Sequence, residues 1–231
     1  MRSSFVIPSY NSAAWLAHAV ASAQKQTHPD IEIVVVDDGS TDSTQSVMRF
    51  MSDKDARIKY IRLEKNSGRS HARNIGNREA SGEIILVLDA DDIAYPERAA
   101  LSVKALAKAD FVHGSSDVID AIGTKLGTHY ADVFNLDKAL KDGVNRMVHS
   151  SCAYRKELAL RYPYPGDEAA RLGLDDWSFQ LAVATSGAKM EHIAPVVGAY
   201  RDIETGVSKT RDPGQVVAFK KAYTEALTSK I

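Results

Sequence analysis

A single α/β domain on a mainly parallel sheet is what this sequence predicts, from three observations. Short apolar runs at 5–7, 31–36, 58–63 and 84–88 alternate with helical spacing at 13–24, 44–51 and 70–80, the rhythm of βαβ units. The runs at 31–36 and 84–88 are nearly continuous rather than alternating, as strands covered on both faces are. No linker, repeat or low-complexity tract breaks the 231 residues, so one domain over 1–231 is expected.

Taken in order, Phe5-Val6-Ile7 is a first strand, stopped by Pro8, and Ser9 to Ser12 is a polar turn. The helix at 13–24 puts Leu16, Ala19, Val20 and Ala23 on one face. Ile31 to Val36 is a second strand, and Asp37 to Ser43 is a loop that delivers a helix N-cap. Ile58 to Leu63 is a weaker third strand, followed by the loop Asn66-Ser67-Gly68-Arg69 and a helix to about Ala80. Ile84 to Leu88 then runs directly into Asp89-Ala90-Asp91-Asp92. Right-handed crossovers bring such strand ends to one edge, where open α/β sheets bind ligands. Three polar turns therefore meet there, at 8–11, 37–40 and 89–92.

Their chemistry is complementary. Tyr10 offers a flat face for a ring, and Asp38 can accept hydrogen bonds from an imide or a ribose. Asp89 and Asp91 repel one another and suit Mg²⁺ or Mn²⁺, hard cations that take oxygen ligands and bind phosphates. Each has a competing structural reading: a turn aromatic, an acid that stabilises the Gly39 turn, and an Asp-rich turn with Asp92 capping the next helix. The coincidence of all three on one edge favours a nucleotide and a metal. No G-x-G-x-x-G follows the first strand and no G-x-x-x-x-G-K-[ST] occurs, which disfavours Rossmann dinucleotide and P-loop readings. Arg69, His71 and Arg73 stand in the loop and helix that could supply cations to phosphates.

These residues resemble a known family. Val6-Ile7-Pro8-Ser9-Tyr10-Asn11 resembles the opening motif of family 2 glycosyltransferases, inverting enzymes with the GT-A fold. Residues 33–44, IVVVDDGSTDST, resemble its second motif, and Asn66-x-Gly68, Ala72-Arg73-Asn74-x-Gly76 and Ala80-x-Gly82-Glu83 its third. Leu88-Asp89-Ala90-Asp91-Asp92 resembles its D-x-D motif. The resemblance implies a Rossmann-like mixed, mainly parallel sheet with a smaller acceptor-side region. Residues 1–98 would be the nucleotide-sugar half, and 99–231 the acceptor half with a C-terminal helix. It implies that Tyr10, with Pro8, Ser9 and Asn11 beside it, packs on the base, usually uracil, and that Asp38 binds that base. Arg73 would approach base or phosphates. Asp89, with Ala90 next to it, would lie near ribose and metal, and Asp91 would ligate the metal.

The second half is less regular. Tyr95-Pro96-Glu97 opens a helix whose inner face would carry Leu101, Ala105 and Leu106. Phe111 to Asp120 is strand-like, and Ile122-Gly123-Thr124-Lys125 suggests a hairpin turn. His149 to Arg155 contains His, Ser and Cys but no nucleophile elbow. It is expected to be a strand leading into a helix, with His149 able to touch substrate. A helix from Asp175 to Ser186 ends at Gly187. Asp175 and Asp176 suit its N-terminus on structural grounds alone. Yet Asp175-Asp176-Trp177 resembles the family's E-D-W-type motif, which makes Asp176 the general base. Asp175 stands where glutamate is commoner, and Asp175 and Trp177 join His149 as acceptor-side candidates. Glu191–Ile193 and Val196–Arg201 are expected to be two closing strands split by Pro195. The family often ends in Tyr-Arg-x-His near diphosphate and metal. Here the residues are Tyr200-Arg201-Asp202-Ile203; Ile203 cannot ligate, and Arg201 could pair the diphosphate instead. Thr205 to Gly214, with Lys209 and Arg211, has the composition of a lid, and Val216 to Leu227 that of a terminal helix.

Composition narrows the partners. A net charge of −1 gives no electrostatic case for nucleic acid. No apolar run is long enough to span a bilayer, and no signal-peptide core precedes the first strand. A cytoplasmic address is expected, with peripheral contact at the inner face of a membrane as the alternative. The one cysteine, Cys152, excludes an internal disulfide. The expected activity is metal-dependent inverting transfer from a nucleotide-sugar, with uridine diphosphate as the expected carrier, to a saccharide, lipid-linked or protein acceptor. Two alternatives stand beside it. A sugar nucleotidyltransferase would want a Gly- and Lys/Arg-rich triphosphate loop where Pro8 to Ser12 stands. A non-catalytic nucleotide-sugar sensor would need no acid at 176.

Overall fold

The computed structural model describes residues 1–143, 147–203 and 212–229. Its first part is four parallel strands, β1 (Ser3–Ser9), β2 (Ile31–Asp37), β3 (Ile58–Arg62) and β4 (Ile84–Val87). Three helices connect them: α1 (Ala13–Gln24), α2 (Thr44–Ser52) and α3 (Arg69–Glu79). The second part is mixed. It runs β5 (Ile93–Ala94), α4 (Arg98–Ala105), β6 (Phe111–Ile119), β7 (Lys125–His129) and α5 (Leu136–Asp142). A 3-10 turn (His149–Ser151), β8 (Ala153–Arg155), α6 (Lys156–Arg161), α7 (Asp167–Arg171), α8 (Asp175–Thr185) and β9 (Met190–Arg201) follow. The last described helix is α9 (Pro213–Thr228).

All nine strands belong to one sheet, ordered β3-β2-β1-β4-β8-β6-β9-β5 with β7 on β6. β8 is antiparallel to both β4 and β6 and so joins the parallel part to the mixed part. The sheet has a core on each face, as its unbroken apolar strands require. Phe5, Ile7, Ile33, Val35 and Leu86 meet α1, α2 and α4 on one side. Val6, Val34, Val36, Ile85 and Phe111 meet α3, α6 and α8 on the other. The predicted face of α1 is the buried one: Leu16, Ala19, Val20 and Ala23. α3 sits close to β1 because position 76 is glycine; a Cβ there would stand 2.4 Å from Val6 Cγ1.

The amino ends of three strands are pinned by a buried polar peg. Ser4 Oγ donates to Glu32 Oε2 (2.7 Å) and accepts from Gly82 N (2.9 Å), while Ser81 N donates to the same Glu32 oxygen (2.8 Å).

Four local expectations change. β1 continues through Pro8, which pairs with Val36. Val6 O accepts from Leu88 N, so Pro8, two residues on, faces the same side beyond the last β4 pair, where its missing N–H is not needed. The two closing strands are one, β9; register shifts of the kind made by bulges around Pro195 carry it past the proline. The inner face of α4 is Arg98, Ala99 and Ser102, with Leu106 just beyond the helix, while Leu101 and Ala105 are only half-buried. His149–Ser151 is a 3-10 turn rather than strand.

Residues 204–211, including most of the expected lid with Lys209 and Arg211, lie outside the described residues. No helix among the described residues is long and apolar enough to cross a membrane.

Candidate active site

A cavity of about 1120 Å³ opens at the carboxyl ends of β1, β2 and β4. The three predicted turns line it, and the second half closes it with the 3-10 turn, α7 and the start of α8.

The turns are stitched together before any ligand arrives. Asn11 takes a left-handed φ of 49°. Its N–H donates to Ser40 Oγ (2.9 Å), and its Oδ1 accepts from Thr41 N (2.8 Å). Tyr10 beside it is 45% exposed, an open ring at the cavity. Pro8 and Ser9 line the same wall. Asp37 is fully engaged within the fold, accepting from Ser40 N (2.8 Å) and Tyr60 Oη (2.6 Å). Asp38 lines the cavity and holds the third loop, with Oδ1 accepting from Ser67 N and Oδ2 from Gly68 N, both at 2.8 Å. Each oxygen keeps a lone pair for a ligand.

Arg73 is the centre of the charge network. Its side chain is 5% exposed; Nη2 pairs with Asp89 Oδ1 at 2.6 Å and Nη1 with Asp175 Oδ2. Tyr164 lies 5.4 Å beneath the guanidinium. Arg69 adds a bond from Nε to Asp175 Oδ1 (2.9 Å) and reaches Ala170 O of α7 (3.1 Å). Asp175 thus receives a guanidinium on each oxygen and is completely buried. One arginine therefore ties the acidic loop after β4 to the N-terminus of α8.

The remaining acids are left without such partners, and their proton affinities show it. Burial alone would raise Asp89, but Arg73 outweighs it and holds the carboxyl at about 2. Asp91 is pushed up to about 6 by burial and by the Asp89 charge. Asp92 is raised well above the usual carboxylate range by burial and by Asp91. Asp176 is raised by burial and by Asp175, and its Oδ1 accepts from Trp177 N (2.7 Å). Asp89, Ala90, Asp91, Asp92 and Asp176 all line the cavity.

A metal is not part of this structure, but the donor set suits a hard divalent cation. Asp91 is a half-buried carboxylate with no ion pair among the described residues, beside a second carboxylate. A cation there removes the repulsion that raises its proton affinity. Among the described residues no group of three His, Cys, Asp or Glu is gathered as a metal cluster. Ile203 does line the cavity, whereas His192 pairs its ring with His113 at 6.0 Å in the sheet and is not in the cavity wall.

Two candidates are placed differently from expectation, and a third is engaged within the fold. Trp177 is 5% exposed and turned away from the cavity, packing on Tyr223 and Lys220 of α9. A helix N-terminus points successive side chains about 100° apart, so Asp176 and Trp177 cannot share a direction. Arg201 does not line the cavity either. Its Nε donates to Asp91 O, and its Nη1 to Asp120 O and Ala121 O, each within 3.0 Å. The guanidinium holds backbone, not a diphosphate. His149 does line the cavity, but its ring is engaged, with Nε2 3.0 Å from Tyr164 Oη and Nδ1 3.3 Å from Gln180 Nε2. Burial and the nearby Arg73 charge lower its proton affinity well below the ordinary value, so it is neutral.

Other residues of the site carried no sequence signal. Arg98 is wholly buried under the acidic loop, donating to Val87 O and to Cys152 O. Ser150 Oγ accepts from Asp89 N (3.1 Å). Trp15, Val118 and His129 line the cavity. A buried arginine inside an apolar helix face, or one serine in a pair, looks like any other in a sequence.

The sequence model of the family described as Glycosyl transferase family 2 matches residues 4–162. An uncharacterized glycosyltransferase of Bacillus subtilis, YwdF, is 31% identical over 236 residues, covering 100% of this chain and 84% of the relative. One of Rickettsia conorii, RC0461, is 36% identical over 134 residues, covering 57% of this chain and 22% of the relative. The chain spans about a fifth to a third of the length of the first curated relatives it matches. Among solved structures, S. aureus TarS 1–349 in complex with UDP-GlcNAc matches with a TM-score of 0.76 at 20% identity, covering 98% of this chain and 70% of that one. The mannosyltransferase PcManGT from Pyrobaculum calidifontis, in complex with GDP-Man and Mn²⁺, matches with a TM-score of 0.68 at 20% identity, covering 99% and 74%. At that identity the likeness is one of fold.

Proposed function

The chain belongs to glycosyl transferase family 2, and from that premise we propose that it moves a sugar from a nucleotide-sugar donor to an acceptor hydroxyl by metal-dependent, inverting transfer. We read residues 1–231 as one domain for this reaction, with donor contacts in 1–98 and acceptor contacts in 99–231. One observation carries the reading. Arg73 neutralises one acid of each pair, Asp89 and Asp175, and leaves Asp91 and Asp176 uncompensated in the same cavity.

Tyr10 stacks on the base, and Asp38 with the 66–68 loop meets its polar edge. UDP is favoured as the carrier, on the TarS complex with UDP-GlcNAc, and the PcManGT complex makes GDP the alternative to test. Asp91, with the free edge of Asp89, would hold Mn²⁺ or Mg²⁺, which when bound stabilises charge on the departing diphosphate. The acceptor oxygen attacks the anomeric carbon as the bond to the phosphate oxygen breaks. The bonding pair leaves with the diphosphate, and the acceptor proton passes to Asp176. Its raised proton affinity suits a base, and its place on a rigid helix N-terminus fixes its direction. Single displacement at one face inverts the configuration.

The test is a panel of UDP-sugars and GDP-mannose with Mn²⁺, read by thermal shift for binding and by nucleoside diphosphate release for turnover. Asp176→Asn is expected to lower turnover by about 10²–10⁴-fold with UDP binding retained. Asp91→Ala is expected to abolish the Mn²⁺ dependence of UDP binding. Transfer that survives in the first variant, or unchanged metal dependence in the second, would overturn the corresponding role.

A further inference from the structure

We propose that Ser150 is a positioning residue for the acidic loop, fixing the backbone at Asp89 so that Asp91 is the acid left to face a cation. The inference rests on the metal reading above for its purpose, but not for its geometry.

Ser150 lies in the 3-10 turn, 61 residues from Asp89 in the chain. Its Oγ accepts the Asp89 N–H at 3.1 Å. Asp92 is 1% exposed, and its Oδ1 accepts from Arg201 N at 2.8 Å. Its own N–H donates to Asp89 O at 3.1 Å, which closes the turn. Asp92 is therefore a buried anchor in the cavity wall and not a helix cap. Arg201 Nε holds Asp91 O from the other side at 2.8 Å. With both flanks tied down, the Asp91 carboxylate is, among the described residues, the part of the loop without a protein tether of this kind.

The turn that carries Ser150 is itself immobilised. Ser151 Oγ donates to Val148 O (2.7 Å) and accepts from Gly114 N (3.2 Å), and Cys152 N donates to His149 O (2.9 Å). Buried Tyr164 and Gln180 hold the His149 ring. A rigid support from the second half thus sets the aim of a loop from the first.

The two adjacent serines make the experiment. Ser150→Ala and Ser151→Ala each remove one buried hydroxyl from the same turn, and Ser150 is the one bonded to the acidic loop. Two quantities are read: amide hydrogen exchange at Asp89, and Mn²⁺ affinity by electron paramagnetic resonance titration in the presence of UDP. The expectation is faster Asp89 exchange and about tenfold weaker Mn²⁺ binding in Ser150→Ala, the range seen when an outer partner of a metal ligand is lost. Ser151→Ala, which loosens the turn but keeps the Ser150 hydroxyl, should change both clearly less than Ser150→Ala does. Wild-type exchange and affinity in Ser150→Ala, or equal effects in the two variants, would overturn the proposal. If the wild-type protein binds no Mn²⁺ with UDP, the metal reading falls, and Asp89 exchange alone still decides the positioning role.

Discussion

The acid pair after β4 and the acid pair at the start of α8 invite comparison. Each contains one carboxylate paired with Arg73, Asp89 in the first and Asp175 in the second. Each also contains one carboxylate that burial and its neighbour push towards the protonated state, Asp91 and Asp176. The pairs differ in their mounting. Asp91 is on a tight loop held by bonds to its backbone, whereas Asp176 is on the first turn of an eleven-residue helix. A loop can adjust its carboxylate to the coordination a cation demands. A helix presents a carboxylate in one direction, which suits a proton taken along one line. One arginine divides two acid pairs, and the mounting of the leftover acid decides what it receives.

The largest expected effect comes from removing the shared partner. Arg73→Met leaves the half-buried Asp89 without a cation and the buried Asp175 with Arg69 alone. Urea unfolding is expected to show a loss of about 3–5 kcal/mol, the cost of breaking a buried pair. A cost near zero would mean that the arginine does not organise the two pairs.

Asp91→Asn separates the leftover acids. It removes a carboxylate that ionises only against burial and the Asp89 charge, so the metal-free protein should gain about 1–3 kcal/mol at pH 7. The thermal shift with Mn²⁺ should vanish. Asp176→Asn should also stabilise but keep the Mn²⁺ shift. If the two variants lose it equally, the division of labour between the pairs is wrong.

The smallest effect is a pH dependence. Asp91 has a pKa of about 6 in the fold against 3.8 in a free chain, so the folded state binds the extra proton between those values. Its contribution to stability therefore falls as pH rises from about 4 to about 6 and is level above that. A cation competes with that proton. The rise in Tm on adding Mn²⁺ should be small at pH 5 and a few degrees larger at pH 7. A pH-independent rise would remove Asp91 as the ligand.

Much of the fold was legible because its signals are local. Leu16, Ala19, Val20 and Ala23 have helical spacing, and Ile84 to Leu88 is an unbroken apolar run, so burial followed from neighbours in the chain. The convergence of Pro8–Asn11, Asp38 and Asp89–Asp92 followed from strand order alone. The expectations that failed needed distant partners. Arg201 donates to carbonyls 80 and 81 residues back, and no local pattern distinguishes that from a phosphate-binding arginine. Pro8 and Pro195 look like strand stops in the sequence, yet the strand runs through Pro8 where the ladder does not ask for its N–H and shifts register to pass Pro195. Trp177 was grouped with its neighbours by motif, while helical rotation sends it to α9.

The peg of Ser4, Glu32, Ser81 and Gly82 has a bearing on all of this, although it lies at the far end of the strands. From Ser4 to Ser9 the chain advances about 17 Å at the usual rise of a strand. Sliding β4 along β1 by one residue would break the bonds to Gly82 and Ser81 together, and would turn every side chain of β4 to the opposite face. The amino edge thus acts as a datum from which the opposite edge is measured. Where Asp89 stands relative to Tyr10 and Asp38 is settled by a serine and a glutamate that no substrate in the cavity would touch.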